Sequence, residues 1–279
     1  MKKATKIIGS VVLLLLALVY LSPFYIVVVN SFKNRAEISL SPLGLPKNIS
    51  FEYYAAAIEK MNLATAFKNS LLVTVVSILF IVLFASTTAW LMVRRPSKAG
   101  SVYFYAMVAT MIIPFQSVMM PLMQLMGGLT RSSGLPFLNS HFGLIFMNIG
   151  FGLGMSTFLY HGFIKSVPLS IEEAATLDGC NIWQLFWQVV FPMLKPTTMT
   201  VIILQVIHIW NDYLLPSLVL SSKELRTIPL STFSFFGEFT IQWNLAMAGL
   251  TLTILPVIIF YIAAQKYIVA GVASGAVKS

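Results

Sequence analysis

The chain has 279 residues, of which 58% are hydrophobic and 10% are charged. Soluble domains carry about 25% charged residues, so this composition leaves too little polar surface to coat a water-soluble globule. The formal net charge of +9 would favour nucleic acid in a soluble domain, but here the lysines and arginines lie mainly between and beside apolar segments. Such placement is typical of membrane topology, and we expect membrane lipid, not nucleic acid, to contact the chain.

Six apolar segments are each long enough to cross, as a helix, a hydrocarbon core of about 30 Å. They lie at about 7–30, 70–93, 102–126, 142–162, 197–220 and 248–269. The pattern predicts an all-α, polytopic membrane protein with six transmembrane helices, forming a single transmembrane domain over residues 1–279. Prolines within or near the spans are expected to kink them, and these are Pro23, Pro114, Pro121, Pro216 and Pro256.

Positive charge in the shortest segments indicates the orientation of the spans. Three lysines precede the first span, and the loop at 94–100 carries two arginines and a lysine, which favours the cytoplasmic side for both. We therefore expect cytoplasmic termini, an outer connection at 31–69 with a short amphipathic helix at 51–60, and a cytoplasmic loop at 163–196. The N-terminus has the regions of a secretory signal, but its apolar stretch continues to about Val29 without a cleavage site, so we expect an uncleaved span.

The cytoplasmic loop carries the signals of two short helices. Ser170 and Glu173 have the spacing of a capping box, which predicts a helix that begins at Ser170. Gly179 can adopt a left-handed conformation and is placed to end that helix. Asn181 and Gln184 repeat the capping pattern for a second helix. The sequence therefore predicts two short helices that meet at an elbow.

The first of these helices has the pattern of a docking surface. Ile171, Ala174 and Ala175 are spaced to share one face, and the two alanines would let another backbone approach closely. Negative charge flanks this face at Glu172, Glu173 and Asp178. A helix that merely rests on the bilayer would carry Lys and Arg on its polar face, so the acidic residues favour a basic protein partner.

The spacing within the loop resembles that of a known family. Residues 173–175 read Glu-Ala-Ala, Gly179 follows them, and an apolar stretch ends in Pro192. This arrangement resembles the EAA motif of ABC importer permeases, whose usual ending, Ile-x-Leu-Pro, is Val-Val-Phe-Pro here. By this resemblance the ATPase-coupling residues are Glu172, Glu173, Ala174, Ala175, Asp178, Gly179 and Pro192.

Other segments resemble the maltose-type carbohydrate branch of that family, specifically its second permease subunit. They are Asp178 before the motif glycine, the run 210–216 in the fifth span and the tail 266–278. The resemblance implies a single permease domain of the type I importer fold in a prokaryotic inner membrane, which translocates a carbohydrate. It further implies a second permease subunit, two ABC ATPase subunits that bind ATP and Mg, and an extracytoplasmic solute-binding protein. The individual solute stays open.

Motifs of common enzymes are absent from the sequence. No Gly-x-x-x-x-Gly-Lys-Ser/Thr phosphate loop occurs, so we expect a partner to bind ATP and no cofactor in this chain. His141, His161 and His208 are scattered, and no Gly-x-Ser-x-Gly elbow is present. A single cysteine, Cys180, excludes an intrachain disulfide, and no Cys/His cluster has metal-ligand spacing. We therefore expect no enzyme activity, no catalytic residue and no metal site.

Polar side chains form a stripe on the apolar fifth span. Gln205, His208 and Asp212 recur at i, i+3 and i+7, with Asn211 close by, and Asn148 lies in the fourth span. Because a charged group at the membrane centre costs about 2.5–3.5 kcal/mol on insertion scales, the stripe must face protein or water. The stripe fits a hydrophilic solute path or an interhelical hydrogen-bond network. Asp212 favours the structural role, since a neutral sugar needs no fixed charge.

Two other classes of protein share part of this pattern. A secondary transporter is also apolar and polytopic, but it needs a coupling-ion site and usually two related halves, and the sequence shows neither. A structural subunit of a membrane complex would explain the hydrophobicity but not the acidic loop with its two caps. Dependence of ATPase co-purification on residues 170–192 would discriminate between these classes.

Overall fold

A computed structural model describes residues 2–237 and 240–276 of the chain. Its helices, numbered in chain order, are α1 (Lys2–Asn30), α2 (Arg35–Leu40), α3 (Glu52–Met61), α4 (Leu63–Arg94), α5 (Lys98–Thr110), α6 (Phe115–Ser133), α7 (His141–Ile164), α8 (Leu169–Leu177), α9 (Ile182–Gln184), α10 (Phe191–Met193), α11 (Lys195–Asn211), α12 (Leu214–Val219), α13 (Ile228–Thr232) and α14 (Trp243–Ala276). A π-helix at Leu185–Val190 lies between α9 and α10. Extended pairing within the described residues is limited to one antiparallel bridge between Phe236 and Ile241. The predicted all-α class is confirmed.

The described helices account for the six predicted spans. Four are long and apolar enough to cross a membrane, namely Ile7–Asn30, Leu63–Arg94, His141–Ile164 and Trp243–Gln265. Two further candidates are bent pairs, Lys98–Thr110 with Phe115–Ser133 and Ile182–Met193 with Lys195–Asn211. In the second pair only Lys195–Asn211 overlaps the predicted fifth span, because Ile182–Met193 falls in the predicted cytoplasmic loop. Counting each pair as one span gives six. Of the C-terminal tail used for the family resemblance, residues 277–278 lie outside the described residues.

The third span is not the continuous helix predicted at 102–126. Its two halves, α5 and α6, meet at an angle of 110°. Helix α5 closes with short-range bonds from Met111 N to Val108 O and from Ile112 N to Ala109 O, both 3.1 Å. Pro114 is the N-cap of α6, and a proline disfavours helical geometry in the residue before it. The predicted kink at this proline is therefore a complete break.

The fifth span is interrupted as well, since its predicted helix at 197–220 ends at Asn211. Asp212 has an extended backbone, with φ −70° and ψ 125°. Its Oδ1 accepts hydrogen bonds from the backbone N–H of Leu214 at 2.9 Å and of Leu215 at 3.4 Å. Aspartate favours such capping bonds over the helix interior, so the chain stops α11 and starts α12 here.

The chain packs as two compact units. The first comprises Met1–Ala64 and Ser231–Ile258. Its core is a cluster of buried side chains from α3, α14 and the segment before α14, namely Ala57, Met61, Phe235, Ala246 and Ala248. Helix α3 matches the amphipathic helix predicted at 51–60. The division concerns packing within the chain, and the single permease domain stays a prediction.

A network of hydrogen bonds in this first unit holds residues 41–43 against the end of α1. Lys33 Nζ donates to the carbonyl of residue 41 at 2.8 Å and to Asn30 Oδ1 at 3.0 Å. Asn30 Nδ2 donates to the carbonyl of residue 42 at 2.9 Å, and Tyr25 Oη to that of residue 43 at 2.9 Å. Three consecutive carbonyls are thus held by two side chains of α1 and by Lys33, which lies three residues after the end of that helix.

The second unit comprises Thr65–Leu230 and Ile259–Ser279 and contains the candidate sites. Its core gathers α4, α7, α11 and the π-helix. Its fully buried side chains include Ile81, Leu144, Ile164, Val190, Leu194 and Val201. Tyr160 of α7 is also buried, and its Oη donates to Thr198 Oγ1 of α11 at 2.9 Å. The buried hydroxyl pair is therefore satisfied across two spans.

Candidate functional site: helical elbow and membrane cavity

The first arm of the elbow, α8, begins one residue earlier than predicted. Pro168 is its N-cap, and no side chain caps it. Ser170 is consequently the second residue of the helix, where its hydroxyl cannot bond the N–H of Glu173 as an N-cap would. The predicted capping box at Ser170 is therefore wrong. The fixed φ of proline suits a helix start, and this replaces the hydroxyl cap.

The end of α8 follows the prediction for Gly179. This glycine has φ 87°, in the left-handed region that favours glycine. Its N–H bonds Thr176 O and the N–H of Cys180 bonds Ala175 O, both at 3.1 Å. These two bonds form a Schellman motif, which satisfies carbonyls at the helix end. The chain therefore turns sharply at Gly179.

The second arm opens with the predicted capping box. Asn181 Oδ1 accepts from Gln184 N at 3.0 Å, and Gln184 Oε1 accepts from Asn181 N at 2.9 Å. The arm then widens into the π-helix, where Phe191 N bonds Phe186 O. Pro192 follows at once, and it lacks the N–H that an α-helical turn would use. The predicted elbow of two short helices is confirmed, with a π-helical second arm.

The outer surface of the elbow differs from the predicted face. Ile171 and Ala174 are exposed, but Ala175 is buried. The exposed ridge continues instead to Leu177, which is 89% exposed. On the second arm Trp183 is 70% exposed. Sequence reasoning missed Leu177 and Trp183, although Leu177 follows Ile171 and Ala174 at the same spacing of three residues.

The acidic residues of the elbow divide into two kinds. Glu173 and Asp178 are exposed beside the ridge, whereas Glu172 is only 5% exposed. Two of the three acidic residues predicted to lie on the docking surface are therefore exposed there, and Glu172 is not. Glu172 precedes Glu173 and is offset from it by about 100° around the helix axis, so the two carboxylates point to different sides.

Glu172 contacts the end of α4. Its Oε1 accepts from Arg94 Nε at 2.7 Å and its Oε2 from Trp90 Nε1 at 3.0 Å. Arg94 Nη2 also donates to Val167 O at 2.9 Å, in the connection between α7 and α8. The Trp90 ring packs on Phe186, with centroids 5.1 Å apart. Beside this network lies a groove of about 670 Å³ between the end of α4 and the elbow.

A second cavity, of about 490 Å³, lies among α6, α7 and α11. It brings together four residues of the predicted polar set, Asn148, Gln205, His208 and Asp212, with Gln116 from α6. The rest of its wall is apolar and includes Met111, Phe115, Phe151, Met155, Leu204 and Leu215. The cavity therefore combines a few polar groups with a largely apolar lining, as small-ligand sites do.

Asn211 is not among the residues that line this cavity. Its side chain is exposed, and Nδ2 donates to the carbonyl of Ile207 on its own helix at 2.8 Å. Asn211 lies six residues after Gln205, which places the two side chains about 120° apart around the axis. That offset turns Asn211 away from the part of the wall that Gln205 lines.

The polar residues of the cavity differ in what they bond. Gln205 is buried, and its Nε2 donates to Gly152 O at 3.2 Å and Ser156 Oγ at 3.1 Å. It thereby joins α11 to α7. The carboxylate of Asp212 caps α12 as described above. His208 and Gln116 are exposed, so they are the polar side chains of the lining that are most accessible to a small molecule.

Comparison with known proteins places the chain in a family. Residues 78–274 match the family described as binding-protein-dependent transport system inner membrane component. The chain is similar to the probable starch degradation products transport system permease protein of Thermoanaerobacterium thermosulfurigenes, with 46% identity over 95% of this chain and 94% of that protein. It is also similar to the melibiose/raffinose/stachyose import permease protein of Bacillus subtilis, with 34% identity over 95% of this chain and 94% of the relative.

The fold has a counterpart among solved structures. One chain in the crystal structure of a bacterial ABC transporter involved in the import of the acidic polysaccharide alginate superimposes with a TM-score of 0.81. The match covers 95% of this chain and 96% of that chain, at 24% sequence identity. It therefore supports the fold alone. Given the family match and the membrane spans, this chain is a multi-pass membrane protein that belongs to the family of binding-protein-dependent transport system inner membrane components.

Proposed function

We propose that the chain is the permease subunit of an ATP-driven importer for a carbohydrate. The observation that carries this proposal is the exposed elbow, a docking device in a chain whose relatives are named as permeases for starch degradation products and for melibiose, raffinose and stachyose. The sequence itself has no phosphate loop, so energy has to enter through a surface of this kind.

The partners follow from the same proposal. A second permease subunit completes the membrane path, two ABC ATPase subunits bind ATP and Mg, and an extracytoplasmic binding protein delivers the solute. Support comes from the family description, which names dependence on a binding protein. In this arrangement both termini and the elbow lie in the cytoplasm of a prokaryotic cell.

The orientation has a direct test, because Cys180 is the single cysteine of the chain. A membrane-impermeant maleimide is expected to leave Cys180 unlabelled in intact cells and to label it after permeabilisation. The matched variant Cys180→Ser/Lys223→Cys is expected to react in intact cells, since the proposed orientation puts residue 223 outside. Labelling of Cys180 from outside would contradict the orientation.

Docking of the ATPase is assigned to the exposed ridge of the elbow. Ile171, Ala174 and Leu177 offer apolar surface, and burial of a leucine side chain contributes about 1.5–3 kcal/mol. Glu173 and Asp178 add negative charge that favours a basic partner. Gly179 fixes the angle between the two arms, so a movement of one arm is transmitted to the other.

The cavity is proposed to form part of the solute path. His208 and Gln116 can exchange hydrogen bonds with sugar hydroxyls, and Phe115 and Phe151 supply aromatic surface, with their rings 5.4 Å apart in an edge-to-face arrangement. Asn148 also lines the wall. Gln205 and Asp212 hold the helices that form it, which favours the packing role for these two members of the stripe.

The function is tested in the reconstituted complex with its binding protein. Sugar uptake and solute-stimulated ATP hydrolysis are measured for Gly179→Pro and Glu173→Lys. The control is Lys98→Glu at an exposed side chain, whose charge change is equal in size and opposite in sign to that of Glu173→Lys. Both elbow variants are expected to lose most uptake while the protein remains inserted, and the control is expected to retain it. Near-normal values for both would contradict coupling. Uptake that an ion gradient drives without ATP would identify a secondary transporter.

A further inference from the structure

The network of Trp90, Arg94 and Glu172 ties three segments of the second unit together. Arg94 joins the end of α4 to α8 through Glu172 and to the preceding connection through Val167 O. Both carboxylate oxygens of Glu172 are occupied, one by Arg94 and one by Trp90. A sliding movement of α8 against α4 would therefore break all of these bonds at once.

The salt bridge between Arg94 and Glu172 differs from an ordinary surface salt bridge because both side chains are largely withdrawn from solvent. The side chain of Arg94 is 16% exposed and that of Glu172 is 6% exposed. Separation would leave a charge in a poorly solvated position, which is strongly unfavourable, whereas exposed pairs separate at little cost. The network therefore acts as a rigid connection between α4 and α8.

The second arm of the elbow is connected to the same point. The Trp90 ring packs on Phe186, and Phe186 packs edge-to-face on Trp187 at 4.9 Å, both within the π-helix. Glu172 belongs to the first arm and Phe186 to the second. The last turns of α4 thus hold both arms of the elbow.

Helix α4 continues from the elbow to the wall of the cavity. Ile81 of α4 is fully buried and its side chain lies against Gly152 of α7, where a Cβ would collide with it. The carbonyl of Gly152 accepts the hydrogen bond from Gln205. One rigid helix therefore contacts the elbow at one end and the cavity wall further along.

We propose that Trp90, Arg94 and Glu172 are positioning residues that make the elbow and α4 move as one body, so that displacement of the elbow by the ATPase reaches the cavity. This inference rests on the proposed coupling function of the elbow. Glu172 acts from inside the elbow as the link, while Glu173 faces the partner. Neither Arg94 nor Trp90 needs to touch the ATPase.

The test is a charge exchange in the full reconstituted complex. Arg94→Glu and Glu172→Arg are each expected to lower the ratio of solute-stimulated to basal ATP hydrolysis by at least about fivefold, the lower end of ordinary coupling factors. The ATPase is expected to co-purify with both, because Glu173 and the ridge are intact. The double variant Arg94→Glu/Glu172→Arg is expected to regain at least half of the ratio. Arg95→Glu, an exposed neighbour of the same charge, is the control and is expected to change the ratio little.

Trp90→Phe is the mildest variant of the network, since it keeps an aromatic ring against Phe186 while it removes the N–H donor together with part of the indole ring. It is expected to lower the stimulation ratio while the yield of the complex is unchanged. An unchanged ratio in Arg94→Glu, or no recovery in the charge exchange, would overturn the proposal. If the proposal is overturned but Glu173→Lys uncouples transport in the same assay, only the link between α4 and the elbow is contradicted. If Glu173→Lys also behaves normally, the coupling function proposed for the elbow is contradicted as well.

Discussion

Lys33 and Arg94 are both basic side chains withdrawn from solvent, yet they are satisfied in different ways. Lys33 is 0% exposed, and its hydrogen bonds go to neutral oxygens no more than eight residues away in sequence. Arg94 pairs with a carboxylate 78 residues away. Lysine presents a compact charge with three rotatable donors, whereas the planar fork of arginine bridges two segments in fixed geometry. The lysine therefore shapes one loop, and the arginine connects distant parts of a unit.

Removal of the carboxylate partner is expected to have the largest effect. Glu172→Ala leaves the partly buried Arg94 without a counterion, and loss of one partner of a buried pair destabilises by up to about 3–5 kcal/mol. The thermal midpoint of the detergent-solubilised complex is the measurement. The double variant Arg94→Met/Glu172→Met is expected to recover most of the loss, because no unpaired charge remains. Equal instability of the single and double variants would show that packing, not charge, holds α8.

Loss of the local lysine is expected to cost less. Lys33→Met removes the charge together with the donor and leaves two neutral oxygens without this partner, which corresponds to about 1–3 kcal/mol. The effect is expected to be local, so proteolysis within residues 34–51 should accelerate while the ATPase stimulation ratio stays normal. Lys47→Met, at an exposed side chain, is the matched control. A reduced ATPase stimulation ratio in Lys33→Met would show that this hydrogen-bond network also takes part in coupling.

Two variants of α11 are expected to separate packing from solute contact. Gln205→Leu loses the bonds to Gly152 and Ser156, at a cost of about 1 kcal/mol, and should lower the thermal midpoint together with uptake. His208→Ala removes an exposed side chain of the cavity wall and should impair uptake or change solute preference at unchanged stability. The measurement is uptake alongside the thermal midpoint. Loss of stability in His208→Ala would place it in the packing interface.

The smallest effect is expected at Asn211. Its amide bonds a carbonyl of its own helix and faces away from the cavity. Asn211→Ala should therefore change the stability by less than about 0.5 kcal/mol, as surface substitutions usually do. Uptake by the reconstituted complex should also stay near normal. A transport defect with normal stability would return Asn211 to the solute path.

Features that depend on neighbouring residues were predictable from the sequence. The number of spans follows from segments of apolar residues, since a helix must satisfy its own backbone groups in lipid. Gly179 and the pair Asn181 and Gln184 act through bonds within about five residues. The elbow, its sharp turn and its second cap could therefore be predicted without any knowledge of packing.

Predictions failed where two local signals competed. Ser170 has the spacing of a cap, but Pro168 starts the helix earlier and leaves the hydroxyl without that role. The apolar residues around Pro114 suit a continuous span, yet the chain breaks there by 110°. Asp212 continues the polar stripe in sequence but ends the helix that carries it. Hydrophobicity gives the length of a span and not its continuity.

The sequence by itself determined the membrane class, the family, the six spans and the elbow, because each rests on hydrophobic length or on bonds between near neighbours. Only the tertiary structure decided that Glu172 points inward and Glu173 outward, and that Gln205 holds two helices while Asn211 faces away. These choices depend on how each helix is rotated about its axis and on what packs against it. The partner of Glu172 lies 78 residues away, and a periodic pattern shows which residues share a face, not which neighbour that face meets.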